Sequence, residues 1–221
     1  VWDRLTDEVR RQPLGFDGQE PNGSSGGADM STDGRLVVFR SSASNLVPDD
    51  HNGVSDVFLW DLQTDVVVRQ PNGVDGHEPN GEASLIDMSD DGATVVFQSI
   101  ASNLVADDVG SNTDVFVWDT ATGAVKRQPN GIDGLQQDVS HAYPSISGDG
   151  RTVVFASPAT NLTPGRPGIG SMYLWDTQMD SLQRLPNGVD GRQPDMWFAG
   201  ASSSFDGKVV ALTSGANNLT P

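Results

Sequence analysis

The hexapeptide DVFLWD, Asp56 to Asp61, returns as DVFVWD at Asp114 to Asp119 and in weaker form as MYLWD at Met172 to Asp176. Its tail opens the chain as Val1-Trp2-Asp3, so Trp2, Trp60, Trp118 and Trp175 stand 58, 58 and 57 residues apart. A repeat of that length marks one supersecondary unit used several times. Such a unit cannot bury its apolar face alone and has to stack on its neighbours, as in a propeller, solenoid or array.

The unit reads as four strands. Ala28-Asp29-Met30-Ser31 passes through Asp33-Gly34 into Leu36-Val37-Val38-Phe39, and the phrase recurs around Asp91-Gly92, Asp149-Gly150 and Asp206-Gly207. Asp-Gly between two apolar or small-residue runs predicts a hairpin, because glycine supplies the positive φ of a tight turn. Ser42 to Leu46 follows, repeated as Ile100 to Leu104, Pro158 to Leu162 and Gly215 to Leu219. It reads as a side-chain-capped turn whose Leu plugs the core. The DVFLWD strand comes next, then Val66 to Arg69 as a fourth strand, then a turn-rich connector: Pro13 to Ser25, Pro71 to Ala83 and Pro129 to His141.

Four strands per unit with only turns between them predict an all-β fold, a β-propeller of four blades of about 58 residues. Successive side chains of Val115-Phe116-Val117-Trp118 point to opposite faces and are all apolar, so both faces of that strand need cover. The single domain would span 1–221, with repeats near 13–70, 71–128, 129–185 and 186–221 plus 1–12. Residues 1–12 align with 59–70 and Pro221 with Pro48, so the N-terminal strands are expected to close the last blade. The ten residues equivalent to Asp49 to Phe58 are absent between them, which keeps open a segment of a larger propeller, or a ring completed between chains. The missing initiator Met suggests a mature form or an excised piece.

Thirteen Lys and Arg against thirty Asp and Glu give a net charge of −17, which repels nucleic acid and anionic membranes and favours cationic, neutral or sugar-like partners. No run of 18 apolar residues is present, so no inserted helix is expected. The acid is almost all Asp, which suits turns or a saline habitat; with no cysteine there is neither a disulfide framework nor thiol chemistry.

Calcium is the cofactor that the loops suggest most, although none is required by the fold. Asp50, Asn52 and Asp56 carry side-chain oxygens around Gly53, and Asp108, Asn112 and Asp114 repeat the pattern, an oxygen-rich arrangement suited to a hard cation. The third copy, Gly165 to Ser171, has lost these acids, and the competing reading is an Asx-turn that caps the strand entry. His51, His77 and His141 are isolated, and no Gly-x-Ser-x-Gly occurs, so no catalytic constellation is expected. Glu20 and Glu78 occupy one connector position that is Gln136 and Gln193 elsewhere, a candidate polar ring for ligand binding. Trp197-Phe198 replaces small or polar residues in one connector alone, which suits either a ligand contact or a plug in an irregular interface.

The Ser/Asp-x-Asp-Gly-x-x-Val-Val-Phe, Ala-Ser-Asn-Leu-Val and Asp-Val-Phe-x-Trp-Asp phrases resemble the bacterial WD-repeat-like propellers of the TolB type over essentially the whole chain. The resemblance implies a propeller fold and a periplasmic or extracellular protein. Its members include protein-binding modules and the noncatalytic propellers of some peptidases, so fold alone does not give the function. The expected function is a noncatalytic binding or scaffolding module for a protein or glycan. The alternative is a carbohydrate-binding or carbohydrate-active propeller with calcium-supported loops. A unit of 58 residues exceeds the roughly 40 to 45 of a WD-type blade, and the surplus lies in the loops.

Overall fold

The computed structural model describes residues 1–140, 142–165, 171–185 and 187–220. His141, residues 166–170 of the third loop copy, and Pro221 lie outside the described residues. Among the described residues all the regular elements are strands: β1 (Trp2–Asp3), β2 (Glu8–Val9), β3 (Ser25–Met30), β4 (Leu36–Ser41), β5 (Asp56–Asp61), β6 (Val66–Arg69), β7 (Ala83–Met88) and β8 (Thr94–Ser99). They continue as β9 (Asp114–Asp119), β10 (Val125–Arg127), β11 (Ala142–Ile146), β12 (Thr152–Ser157), β13 (Ser171–Asp176), β14 (Ser181–Arg184), β15 (Phe198–Ser203) and β16 (Val210–Ser214).

Three sheets are complete four-stranded blades in sequence order, β3 to β6, β7 to β10 and β11 to β14, each antiparallel throughout. The register repeats from blade to blade: Val37 faces Trp60, Val95 faces Trp118 and Val153 faces Trp175. Phe39 stacks on Phe58, Phe97 on Phe116 and Phe155 on Tyr173, with centroids 5.7, 5.6 and 5.7 Å apart. Such cross-strand aromatic pairs hold the register, since a one-residue slip would send each ring to the other face.

The third strand is buried on both faces, as expected of blades that stack. Val38, Val57 and Leu59 of the first blade close one core with Ala83, Val95, Phe97, Phe116 and Trp118 of the second. Val96, Val115 and Val117 then meet Ile146, Val153, Phe155, Tyr173 and Trp175 of the third. Leu46, Leu104 and Leu162 are 5, 2 and 2% exposed, the plugs that the loop phrase implied. Around the axis, β3 packs on β7, β7 on β11 and β11 on β15. Backbone bonds tie the hairpin turns in the same order, from Thr32 to Asp90, Asp90 to Gly148 and Asp149 to Phe205.

The last blade departs from expectation. β15 and β16 form one two-stranded sheet and β1 and β2 another, so the terminal strands do not join into a closed fourth blade. The two-residue β1 pairs with β2 alone, and no ladder joins it to β16.

Candidate functional site

The expected metal residues, joined by Glu78 in the first copy, gather in two successive repeats, where the loop after the second strand folds over the connector of the following repeat. Arg69, the last residue of β6, turns its guanidinium inward at 6% side-chain exposure. Its Nη1 lies 2.8 Å from Glu78 Oε1, 3.4 Å from Asp50 Oδ1 and 3.6 Å from Asp56 Oδ2. Asn52 donates to Asp56 Oδ2 and to the carbonyl of Pro79, and the His51 N–H donates to Glu78. Gln70 completes the set by accepting from the Val57 N–H at 2.7 Å.

Burial pushes Asp56 up to about 6, against the pull of Asn52 and Arg69. Asp50 is also raised by burial. Burial acts upward on Glu78 too, but its bonds to Arg69 and to the His51 N–H outweigh this and hold it below the usual carboxylate range.

The second copy uses Arg127. Its Nη2 donates to Asp107 Oδ2 at 3.0 Å and to Asn130 Oδ1 at 2.8 Å, while Nη1 sits 4.0 Å from Asp108 and 3.9 Å from Asp114. Gln136 replaces Glu78 and donates to both Asp108 and Asp114 at 2.9 Å. Asn112 donates to the Gln137 carbonyl. Burial drives Asp114 up to about 7, with Asp108 nearby adding to the rise.

The candidate residues Asp50, Asn52, Asp56 and Glu78 thus form one cluster, and Asp108, Asn112 and Asp114 another, each with a guanidinium among the carboxylates. Among the described residues no three of His, Cys, Asp or Glu are grouped so as to hold a metal ion. Glu20 is separate: it pairs with Arg11 on the exposed surface. Trp197 and Phe198 point apart, as neighbours at a strand start do. Phe198 is 2% exposed and packs with Val154, Ala156 and Met172, so it is a core residue rather than a ligand contact, whereas Trp197 is 52% exposed.

Sequence reasoning missed the arginines, although Arg11, Arg69, Arg127 and Arg184 recur at one position of the repeat, two residues ahead of a proline. It also missed a pair of carboxylates on the innermost strands. Asp29 accepts the Met88 N–H of the next blade at 3.0 Å, and Asp87 accepts the Ile146 N–H at 2.9 Å and the Ser145 hydroxyl at 2.8 Å. Burial raises Asp87 to about 6, and the adjoining Asp29 carboxyl adds to the rise. Bulges on β7 and β11 put Leu85 and Tyr143 at φ 39° and 56°, half-exposed. Nothing in the local sequence distinguishes these aspartates from turn residues.

Comparison with solved structures agrees with the architecture. The chain superposes on TolB from Acinetobacter baumannii with a TM-score of 0.52 and 20% identity, covering 90% of this chain and 40% of that one. The β-propeller domain of the Trilobed protease from Pyrococcus furiosus gives 0.45 and 11%, covering 76% and 45%. The chain therefore spans less than half the length of either structure and shares the β-propeller fold with TolB. No protein-family model matches it, and no curated protein matches its sequence.

Proposed function

We propose that this chain is a noncatalytic binding or scaffolding propeller that works in the periplasm or outside the cell. One observation carries the reading: the carboxylates with the most perturbed protonation are used inside the fold. Asp56 and Asp114 are 0 and 1% exposed and bound to Asn52 and to Gln128 and Gln136, and Asp87 is spent joining the second and third blades. A catalytic acid or base has to reach a substrate proton, whereas Asp56 and Asp114 are enclosed by protein and the partly exposed Asp87 is held by Ser145 and the Ile146 N–H. Binding then falls to the exposed loops, where the net charge of −17 favours a cationic or neutral protein partner and makes association salt-sensitive.

Trp197 supports a second reading, a glycan held against an exposed indole face, with calcium ordering the acidic loops. The test is a paired screen of the purified chain, on a glycan array and on immobilised basic and acidic proteins, at low and high salt. Salt-sensitive retention of basic proteins alone supports the first reading, and sugar retention lost in Trp197→Ala supports the second. Turnover of a glycoside or peptide that disappears in the Glu20→Gln, Glu78→Gln double variant would refute both noncatalytic readings.

A further inference from the structure

Two loops, 100–113 between β8 and β9 and 128–140 between β10 and β11, carry apolar side chains that the fold leaves in water. Val109 is 70% exposed, Ile132 65%, Leu135 66% and Val139 37%. The first copy of these loops shows that the architecture does not require them. At the positions of Val109, Leu135 and Val139, 58 residues earlier, stand His51, His77 and Gly81. The local backbone is the same in both copies: the Val109 N–H donates to Gln136 Oε1 at 2.8 Å, as the His51 N–H does to Glu78 Oε1 at 2.8 Å.

Hydrogen bonds gather the four side chains on one stretch of surface. The bond from Val109 to Gln136 sets Val109 beside Leu135. The Gly131 N–H donates to the Leu135 carbonyl at 2.8 Å and closes the turn that carries both Ile132 and Leu135. The Thr113 N–H donates to Ser140 Oγ at 3.1 Å, which brings Val139 back to the loop that holds Val109. Apolar side chains scattered singly over a surface need no explanation, but a group of them with a polar rim marks a contact site.

The rim here is acidic. Asp107, Asp108 and Asp133 lie in the two loops, and neither loop contains a Lys or Arg. The guanidinium that reaches this place, that of Arg127, is 7% exposed and engaged by Asp107 at 3.0 Å, while the Asp107 side chain stays 62% exposed. A partner that fits has apolar side chains to cover Val109 and Leu135 and cations to face Asp107 and Asp133. Nucleic acid and anionic bilayers carry the wrong charge.

We propose that this patch docks a basic amphipathic segment of a partner protein, with its apolar side chains against Val109, Ile132, Leu135 and Val139 and its Lys or Arg residues at the rim. The proposal rests on the reading of the chain as a binding module, and adds where the partner lies and which of its side chains are recognised.

The probe is a synthetic peptide that alternates Leu-Phe pairs with Lys. Its controls carry Glu in place of each Lys, or Ser in place of each Leu and Phe. Methyl NMR of the unaltered chain should show shifts centred on Val109, Ile132, Leu135 and Val139 with the first peptide alone, weakening as salt is added. The Val109→His, Leu135→His double variant, which takes the residues of the first copy, should bind it about tenfold or more weakly. Shifts centred elsewhere, or undiminished binding to the double variant, overturn the proposal and leave the binding module standing. Equal shifts with either control peptide overturn it as well, since charge or apolar contact would then be irrelevant. Absence of binding also overturns it, and retention of basic proteins by the unaltered chain in the same buffer then decides whether the binding-module reading falls too.

Discussion

Trp60 donates its indole N–H to Asp65 across 2.9 Å, a bond that ties the third strand of the blade to the turn beyond it. Asp65 holds φ at 61°, as Asp7 and Asp180 do at 59° and 54° in the equivalent turns, so the aspartate both makes the turn and satisfies the buried indole. In the second blade Gly123 stands at this position with φ 75°, and Trp118, 3% exposed, has an indole nitrogen with no hydrogen-bond partner.

Gly123→Asp should therefore stabilise the chain. A Cβ there meets only Pro71 Cγ, at an ordinary 3.7 Å. Satisfying a buried donor is worth about 1 kcal/mol net, and aspartate already bears this left-handed φ in the three equivalent turns, so the gain outweighs the backbone strain. The expected outcome is a rise in the urea midpoint with an unchanged m-value; a fall would refute the assignment.

Arg69 pairs with Asp50, Asp56 and Glu78 in a largely buried cluster, and removing the one cation of such a set leaves its carboxylates without compensation. Arg69→Ala should cost about 3 to 5 kcal/mol in equilibrium unfolding. Glu78→Gln should cost only about 1 kcal/mol, since the amide keeps an acceptor for Arg69 and the second repeat functions with Gln136 at this position. Equal losses in the two variants would contradict this account.

The raised carboxyls set a pH dependence. Asp56 and Asp87 at about 6 and Asp114 at about 7 all lie above the unfolded value of 3.8, so the folded chain holds these protons more tightly than the unfolded one. Their contribution is complete below pH 3.8 and is lost as pH rises through 6 to 7. The thermal midpoint should fall between pH 4 and 8, and Asp87→Asn should flatten that fall. Asp61 and Asp206, lowered to about 2 by bonds to Arg35 and Lys208, act in the opposite sense, and their contribution is lost only as the pH drops toward 2.

Gly73 approaches Asn103 so closely that an added Cβ would lie 2.5 Å from its carbonyl oxygen and 2.6 Å from Nδ2. Asn103 ties the connector by donating to Asp75 and to the Glu78 carbonyl and accepting from the Asn80 N–H. Gly73→Ala should destabilise by about 1 to 3 kcal/mol through overpacking, with backbone exchange rising first across 72–80. The same substitution at Gly76, which has open space around it but φ 79°, should act through backbone strain alone and spare the Asn103 contacts.

Phe198 and Trp197 separate a core role from a surface role. Phe198→Ala should cost about 3 to 5 kcal/mol, and Trp197→Ala less than about 0.5 kcal/mol, in the same denaturation series. A large cost at Trp197 would show that its ring is buried in solution.

Most of the fold was legible in the sequence because its signals are local and repeated. Asp-Gly fixes each hairpin, alternation fixes the faces, and an all-apolar Val-Phe-x-Trp strand has to be covered on both sides whatever covers it. The chemistry of the loops was legible only in part. Asp50, Asn52 and Asp56 announce an oxygen-rich cluster, but the cation among them comes from Arg69, 13 residues beyond Asp56, and no spacing rule for metal ligands looks for a guanidinium. The Asp29 and Asp87 ties were invisible for the same reason: each carboxylate reaches the backbone of the next blade 59 residues away, a contact that exists only once the blades have stacked. Repeat arithmetic could match the terminal half-blades but not join them. Which strands pair at the two ends depends on how the blades stack around the axis, and that is decided in three dimensions.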